Sequence, residues 1–415
     1  MIGTLSGVIV ALILYFYPLP TEDHSNLNSL AFIFVGLAAL LLFIQFISLF
    51  FSWIPLQQAE QNTSSHILTL FKSDLKLRAA TAWLVVFNLA SLLIAIHPPF
   101  FNVVNKTVLI AIWILLFGIS IDSLFYYFKR TMNYFNAFGA VHMFAQAGEN
   151  CIKQEREVDL CDWLDALTEV AVKGAQSNNS PLCVNALNKM QRLGRNFLES
   201  SKSIGHSSQD AQTKEFGITD KISYTLFNLF QRMDLINEKV VDKKMEIASN
   251  HSVTNMGKLA ISSAKCDMSI AVHPLHYLRL FAGRAQNKGM ADVGVRASLT
   301  LLEVAKTILN EIDVTYLEIK EPFLSIVGGL EEIAKEAFKQ EKSTSIKVLM
   351  DPFIQLRALF KSEKVVSHQD TPVIILDIDR VLVEFQTLET VLQMMPAMPP
   401  IPNVADEKGM GASSA

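Results

Sequence analysis

Four long apolar segments within the first 128 residues constrain what this chain can fold into. They are rich in Leu, Ile, Val, Ala and Phe, and Asp122 is the only acidic residue inside them. An α-helix rises about 1.5 Å per residue, so about 20 apolar residues cross the hydrocarbon core of a bilayer. The sequence therefore predicts a transmembrane domain over residues 1–128 with four helices, at 2–17, 30–53, 79–96 and 108–128.

The first of these segments is the shortest and has the features of a retained helix. No Lys or Arg precedes its apolar run, and no small-residue cleavage pattern precedes Pro18. A secretory signal peptide normally has both features. We therefore expect residues 2–17 to stay in the protein as the first span.

The charges between the segments predict which side of the membrane each loop faces. One set of loops contains most of the basic residues, namely Lys72, Lys76, Arg78, Lys129 and Arg130. The opposite loops contain only Lys106. Basic residues in short loops remain on the cytoplasmic side. We therefore expect both termini to be cytoplasmic, with a bacterial inner membrane as the simplest location.

The region after residue 128 has a helical pattern of apolar residues. One stripe recurs at alternating spacings of four and three: Ile222, Leu226, Leu229, Met233, Ile236 and Val240. Such a stripe covers one face of a helix, which must pack against another helix. The predicted fold class is all-α, with four transmembrane helices followed by a cytoplasmic helical bundle of about eight helices over residues 129–395.

Three stretches bear on how this region is organised. Residues 200–219 are rich in Ser, Gln, Gly and charge, which predicts a linker or mobile loop. Residues 396–415 begin with closely spaced prolines and continue as small polar residues, which predicts a disordered tail. No clear break follows residue 128 before about residue 150, so the fourth span is expected to continue as one helix.

Composition and spacing argue against several classes of function. The net charge is −4, and no cluster of Lys and Arg occurs that would hold nucleic acid or anionic lipid. The four cysteines fit no zinc-binding spacing, and no carboxylate near His273 and His276 completes a metal site. We expect no metal, no cofactor and no nucleic-acid partner.

One short motif looks like a catalytic loop. Residues 373–382 include Asp377 and Asp379 after an apolar run, and resemble the aspartate loop of haloacid-dehalogenase-type phosphatases. Arg380 stands where that family's loop has a glycine. The spacing of Ile374, Ile378 and Val381 instead predicts a helix that begins near Pro372.

Two features of the spans suggest a role. Asp122 lies within a predicted span, where ionisable residues are costly and often functional. It is a candidate transport residue or a residue at the membrane interface. Gly3, Gly7 and Ala11 recur at steps of four, a spacing that lets helices approach closely in lipid. Their partner helix is expected within the same chain, with a second copy of the chain or a different protein as the alternatives.

These observations favour a membrane protein that is not an enzyme. The leading prediction is a multi-pass scaffold or assembly subunit, whose cytoplasmic helices bind a protein partner or a second copy. Its spans contact membrane lipid. The alternative is an oligomeric ion channel or transporter with Asp122 near the path.

Overall fold

The computed structural model describes residues 2–16, 24–96, 106–207, 211–341 and 345–394, and these contain 15 α-helices, a 3₁₀ turn and no strand. The all-α prediction is confirmed. The predicted tail, 396–415, lies outside the described residues. The first five helices are α1 (Ile2–Phe16), α2 (His24–Asn62), α3 (His66–Ser73), α4 (Leu75–Ile96) and α5 (Lys106–Phe135).

Three of these helices, and not four, are long and apolar enough to cross a membrane. They do so over Val35–Asn62, Leu75–Leu93 and Val108–Phe135. The expected first span is α1, which has 15 residues. At about 1.5 Å per residue it extends about 22 Å, short of the hydrocarbon core of about 30 Å. The prediction of four spans is therefore wrong, because the first apolar run is too short.

The membrane helices bury a small core and turn other apolar side chains outward. Leu84, Phe87 and Trp113 pack together inside. Phe43 and Phe46 of α2 are exposed on the outside. In water this exposure would be unfavourable, whereas lipid tails solvate it.

The chain does not continue as one helix after the last span. α5 ends at Phe135, and Asn136 adopts an extended backbone with φ −95° and ψ 122°. The Asn136 side chain accepts a hydrogen bond from the Phe138 N–H, which caps the following helix. The expectation of an uninterrupted helix is wrong, because an N-cap residue breaks it at this point.

Ten helices follow this break in the part of the chain that the structure describes. They are α6 (Ala137–Lys153), α7 (Glu157–Gln176), α8 (Ser180–Ser207), α9 (Ala211–Asp242), α10 (Glu246–Cys266), α11 (Val272–Asn287), α12 (Ala291–Glu311), α13 (Lys320–Gln340), α14 (Ile346–Leu359) and α15 (Thr371–Met394). The 3₁₀ turn, Met268–Ala271, leads into α11.

These ten helices form two layers. In the first layer α6, α8, α10, α12 and α14 pack side by side in chain order, and in the second layer α7, α9, α11, α13 and α15 do the same. Each helix also packs on the next helix in sequence. Packing is thus mainly between neighbours, which is the arrangement of an α-solenoid rather than a closed bundle.

The predicted linker at residues 200–219 is helical wherever it is described. Residues 200–207 complete α8, and residues 211–219 belong to α9. Residues 200–219 contain many Ser and charged residues, which favour contact with water. A polar composition of this kind is found both in loops and in solvent-exposed helices, so it does not distinguish them. Whether residues 200–219 act as a linker stays a prediction.

Four of the turns between successive helices share one geometry. The residues at these turns with a left-handed backbone are Glu155, Asn178, Lys244 and Gly289. After each, the next N–H bonds to the carbonyl five residues earlier, as from Met290 to Ala285 at 3.0 Å. This is the Schellman ending of a helix, and it reverses the chain for the next helix.

Ion pairs join every two neighbouring helices of the second layer. They are Asp165–Arg232, Asp234–Arg284, Arg279–Glu332 and Glu331–Arg380. Hydrogen bonds from Arg380 and Lys335 outweigh partial burial and hold the pKa of Glu331 below its ordinary value. Exposed pairs stabilise by about 0.2–1 kcal/mol each, so their main effect is to neutralise this face.

Candidate functional site

Asp122 caps the N-terminus of α1. Its carboxylate oxygens accept hydrogen bonds from the Gly3 and Thr4 N–H groups, both at 2.9 Å, and from the Thr4 hydroxyl. The first N–H groups of a helix have no partner within that helix, so these hydrogen bonds satisfy two of them. Asp122 thus has a structural task that the sequence alone did not show.

Gly3 and Gly7 of α1 lie against α5 of the same chain. A Cβ atom built on Gly3 would lie 2.5 Å from the carbonyl oxygen of Gly118, and one built on Gly7 would lie 3.1 Å from that of Ile114. Ala11 lies in the same helix. Gly118, which sequence reasoning missed, provides the matching gap on α5.

We expect Asp122→Asn to weaken the protein and not to alter any flux. Asparagine keeps one acceptor oxygen of two, so the loss should be about 1 kcal/mol, typical of a weakened helix cap. Thermal unfolding in detergent measures it, with Ser123→Ala as the control. An ion flux in liposomes that requires this protein and changes in Asp122→Asn would support the transport alternative.

A second polar cluster lies where the spans meet the solenoid. Asp74 connects α3 to α4 and is 6% exposed. It accepts hydrogen bonds from Arg130 Nε at 2.7 Å and from the Tyr134 hydroxyl at 2.8 Å. The Lys76 N–H also donates to it, at 3.1 Å. Burial opposes ionisation, yet these donors hold the pKa of Asp74 below its ordinary value.

The turn between α2 and α3 is hydrogen-bonded to α7, which forms a hairpin with α6. Glu169 of α7 accepts hydrogen bonds from the Ser65 N–H at 2.9 Å and the Ser65 hydroxyl at 3.1 Å. Burial raises the pKa of Glu169, but these hydrogen bonds lower it by more. Lys173 also donates to the Glu60 carbonyl, at 3.3 Å. The end of α2 and the turn after it are therefore held against α7 by side-chain hydrogen bonds.

A continuous hydrophobic core crosses the same junction. Leu56 of α2, Ile67 of α3 and Tyr134 of α5 are buried in one cluster with the helices of the solenoid. Phe144 stacks on Trp163 with ring centroids 5.9 Å apart. α3 thus packs its apolar face on the protein, although its sequence alone suits a helix lying in the membrane interface.

An open groove of about 490 Å³ crosses the first layer of the solenoid between α8, α10 and α12. Amide side chains line much of it: Asn188, Gln191, Asn250 and Asn255. Asn255 donates to the Asn188 side-chain oxygen at 2.9 Å. No sequence pattern pointed to this groove, because its residues come from three helices far apart in the chain.

The phosphatase-like motif and the metal-site candidates remain to be placed in the structure. Residues 373–382 lie within α15, as their spacing predicted, and Arg380 pairs with Glu331 and Asp377. Among the described residues, no three His, Cys, Asp or Glu side chains are placed to hold a metal ion. Comparison with protein-family models, curated proteins and solved structures found no match.

Proposed function

We propose that this chain is a membrane-anchored scaffold whose solenoid binds a protein partner or a second copy of itself. The observation that supports this most is the open two-layer stack of ten helices, joined to the membrane helices by a packed junction. Solenoids of this kind present long surfaces to other macromolecules. The spans contact lipid, and we place the solenoid in the cytoplasm, at a bacterial inner membrane.

Exposed apolar side chains on the solenoid support a contact role. Val295 and Leu299 lie one turn apart on α12 and are 61% and 55% exposed. Leu376 and Val383 of α15 are also largely exposed. Large apolar side chains grouped on a water-facing surface are typical of sites that bind other proteins.

Cross-linking in native membranes, followed by native mass spectrometry in nanodiscs, tests the proposal. We expect a complex larger than one copy, with cross-links on solenoid lysines. Paired Arg substitutions at Val295 and Leu299, or at Leu376 and Val383, should reduce that complex by about tenfold for at least one pair. A single-copy mass before and after cross-linking would contradict the scaffold function.

A further inference from the structure

The contact between α8 and α10 differs from most helix contacts of the solenoid. Ion pairs join every two neighbouring helices of the second layer, and in the first layer Arg192–Glu149 joins α6 to α8 and Lys265–Glu311 joins α10 to α12. Among the described side chains, no ion pair joins α8 to α10. These two helices are instead joined by a hydrogen bond between the side-chain amides of Asn188 and Asn255. The surface over the α8–α10 contact therefore has polar side chains without a neutralising ion pair between the two helices.

The groove on this layer has basic residues and lacks acidic ones. Lys258, Arg296 and His251 line it, and no carboxylate does. A larger cleft of about 790 Å³, beside the end of α10, has charges of both signs, including Lys265 and Glu321. The positive character thus belongs to the groove and not to the first layer as a whole.

Arg296 differs from the other arginines of the solenoid. Eight of the nine arginines after residue 136 form ion pairs, and they are Arg156, Arg192, Arg195, Arg232, Arg279, Arg284, Arg357 and Arg380. Within the described side chains, Arg296 contacts only a neutral partner, the Thr254 hydroxyl, at 3.2 and 3.3 Å. A guanidinium held without a counter-charge is suited to a carboxylate supplied by a ligand.

The amides beside these cations match a peptide backbone. Asn255 is 3% exposed, so its hydrogen bond to Asn188 holds that amide in place. The Asn250 side-chain oxygen is buried and has no partner in the described structure. An amide side chain donates and accepts, as do the N–H and C=O groups of an extended peptide. Val295 and Leu299 lie on the same helix as Arg296, one before it and three after it in sequence, and both are exposed.

We propose that this groove binds an acidic peptide segment of a protein partner, which rests on the scaffold function proposed above. Carboxylates of the peptide pair with Lys258 and Arg296, while its backbone hydrogen-bonds to the amides of α8 and α10. An apolar residue of the peptide packs on Val295 or Leu299. The groove thus specifies that the partner has an acidic peptide segment, whereas the scaffold function alone does not specify the kind of partner.

Selection of short random peptides on the full-length protein in nanodiscs tests this site. We expect the enriched peptides to be rich in Asp and Glu, with apolar residues between them. A fluorescent copy of the best peptide should bind the double variant Lys258→Gln, Arg296→Gln about tenfold more weakly. Neither residue has an ion pair among the described side chains, and Arg296 loses only exposed hydrogen bonds to Thr254, so the melting temperature should change little.

The matched control also removes two positive charges from the first layer, but at positions outside the groove. Arg195→Gln with Lys306→Gln should bind the peptide within about twofold of the original chain, since exposed charges contribute little. Enriched peptides without acidic residues, equal binding by both double variants, or tighter binding of a single-stranded oligonucleotide would overturn the site. If cross-linked complexes persist in Lys258→Gln, Arg296→Gln, the groove proposal fails while the scaffold function stands.

Discussion

Gly118→Ala is expected to separate α1 from α5 and to lower the stability of the membrane domain. The backbones of these helices touch at Gly118 and Gly3, so an added methyl group would meet the Gly3 carbonyl and cannot turn away. Overpacking of this kind costs about 1–3 kcal/mol. The shift would also remove the hydrogen bonds of Gly3 and Thr4 to Asp122, so we expect the upper end of that range.

The free energy of unfolding in mixed micelles measures this effect. Gly36→Ala in α2 is the matched control, since nothing lies within 4 Å of a Cβ atom built there. Alanine has a higher helix propensity than glycine, by about 1 kcal/mol, so this control should be neutral or stabilising. Equal stability of the two variants would show that α1 does not pack on α5 as described.

Asp74→Ala is expected to loosen the connection between the membrane helices and the solenoid. It leaves Arg130 and Tyr134 without their common acceptor in a largely buried site. Removing one partner of a buried ion pair costs about 3–5 kcal/mol, and the partial exposure of Arg130 places our estimate near 3 kcal/mol. Unfolding measurements and faster proteolysis near residue 136 would both report the loss.

The pH dependence of stability gives a second readout for Asp74. Its pKa is lowered in the folded protein, so its contribution is fully present above the unfolded value of about 3.9 and is lost as pH falls through the folded value. Asp74→Ala should therefore lose less stability on acidification than the original chain. Asp159→Ala, which breaks an exposed pair with Arg156, should cost at most about 0.5 kcal/mol.

Hydropathy and helical spacing predicted most of the secondary structure, because both depend on the local sequence. The stripe from Ile222 to Val240 lies in α9, and residues 373–382 form a helix. A stripe shows that a helix needs a partner, but not which helix provides it. The periodicity of apolar residues therefore could not predict which helices pack together in the two layers.

The missed boundaries have particular physical reasons. Asn136 caps α6 in the middle of a continuous run of helix-compatible residues. Lys244 and Glu155 adopt a left-handed backbone without being glycine, so the sequence gives little sign of the turns there. Pro352 lies inside α14, although proline usually marks the start or end of a helix.

For the candidate sites, too, the sequence predicted which residues are unusual, but not what they contact. The sequence singled out Asp122 and the small residues of α1 because acidic and small side chains are unusual within a membrane helix. Their contacts with each other and with Gly118 depend on how α1 and α5 are placed in space. The groove was missed entirely, since Asn188, Lys258 and Arg296 acquire meaning only when α8, α10 and α12 are adjacent.

The succession of similar hairpins has a consequence for how such a chain changes in evolution. Because each hairpin depends mainly on the one before and the one after, duplication or deletion of a whole hairpin leaves the anchor intact. Such an event would lengthen or shorten the helical stack by one hairpin. The length of the stack and the membrane helices can therefore be selected separately.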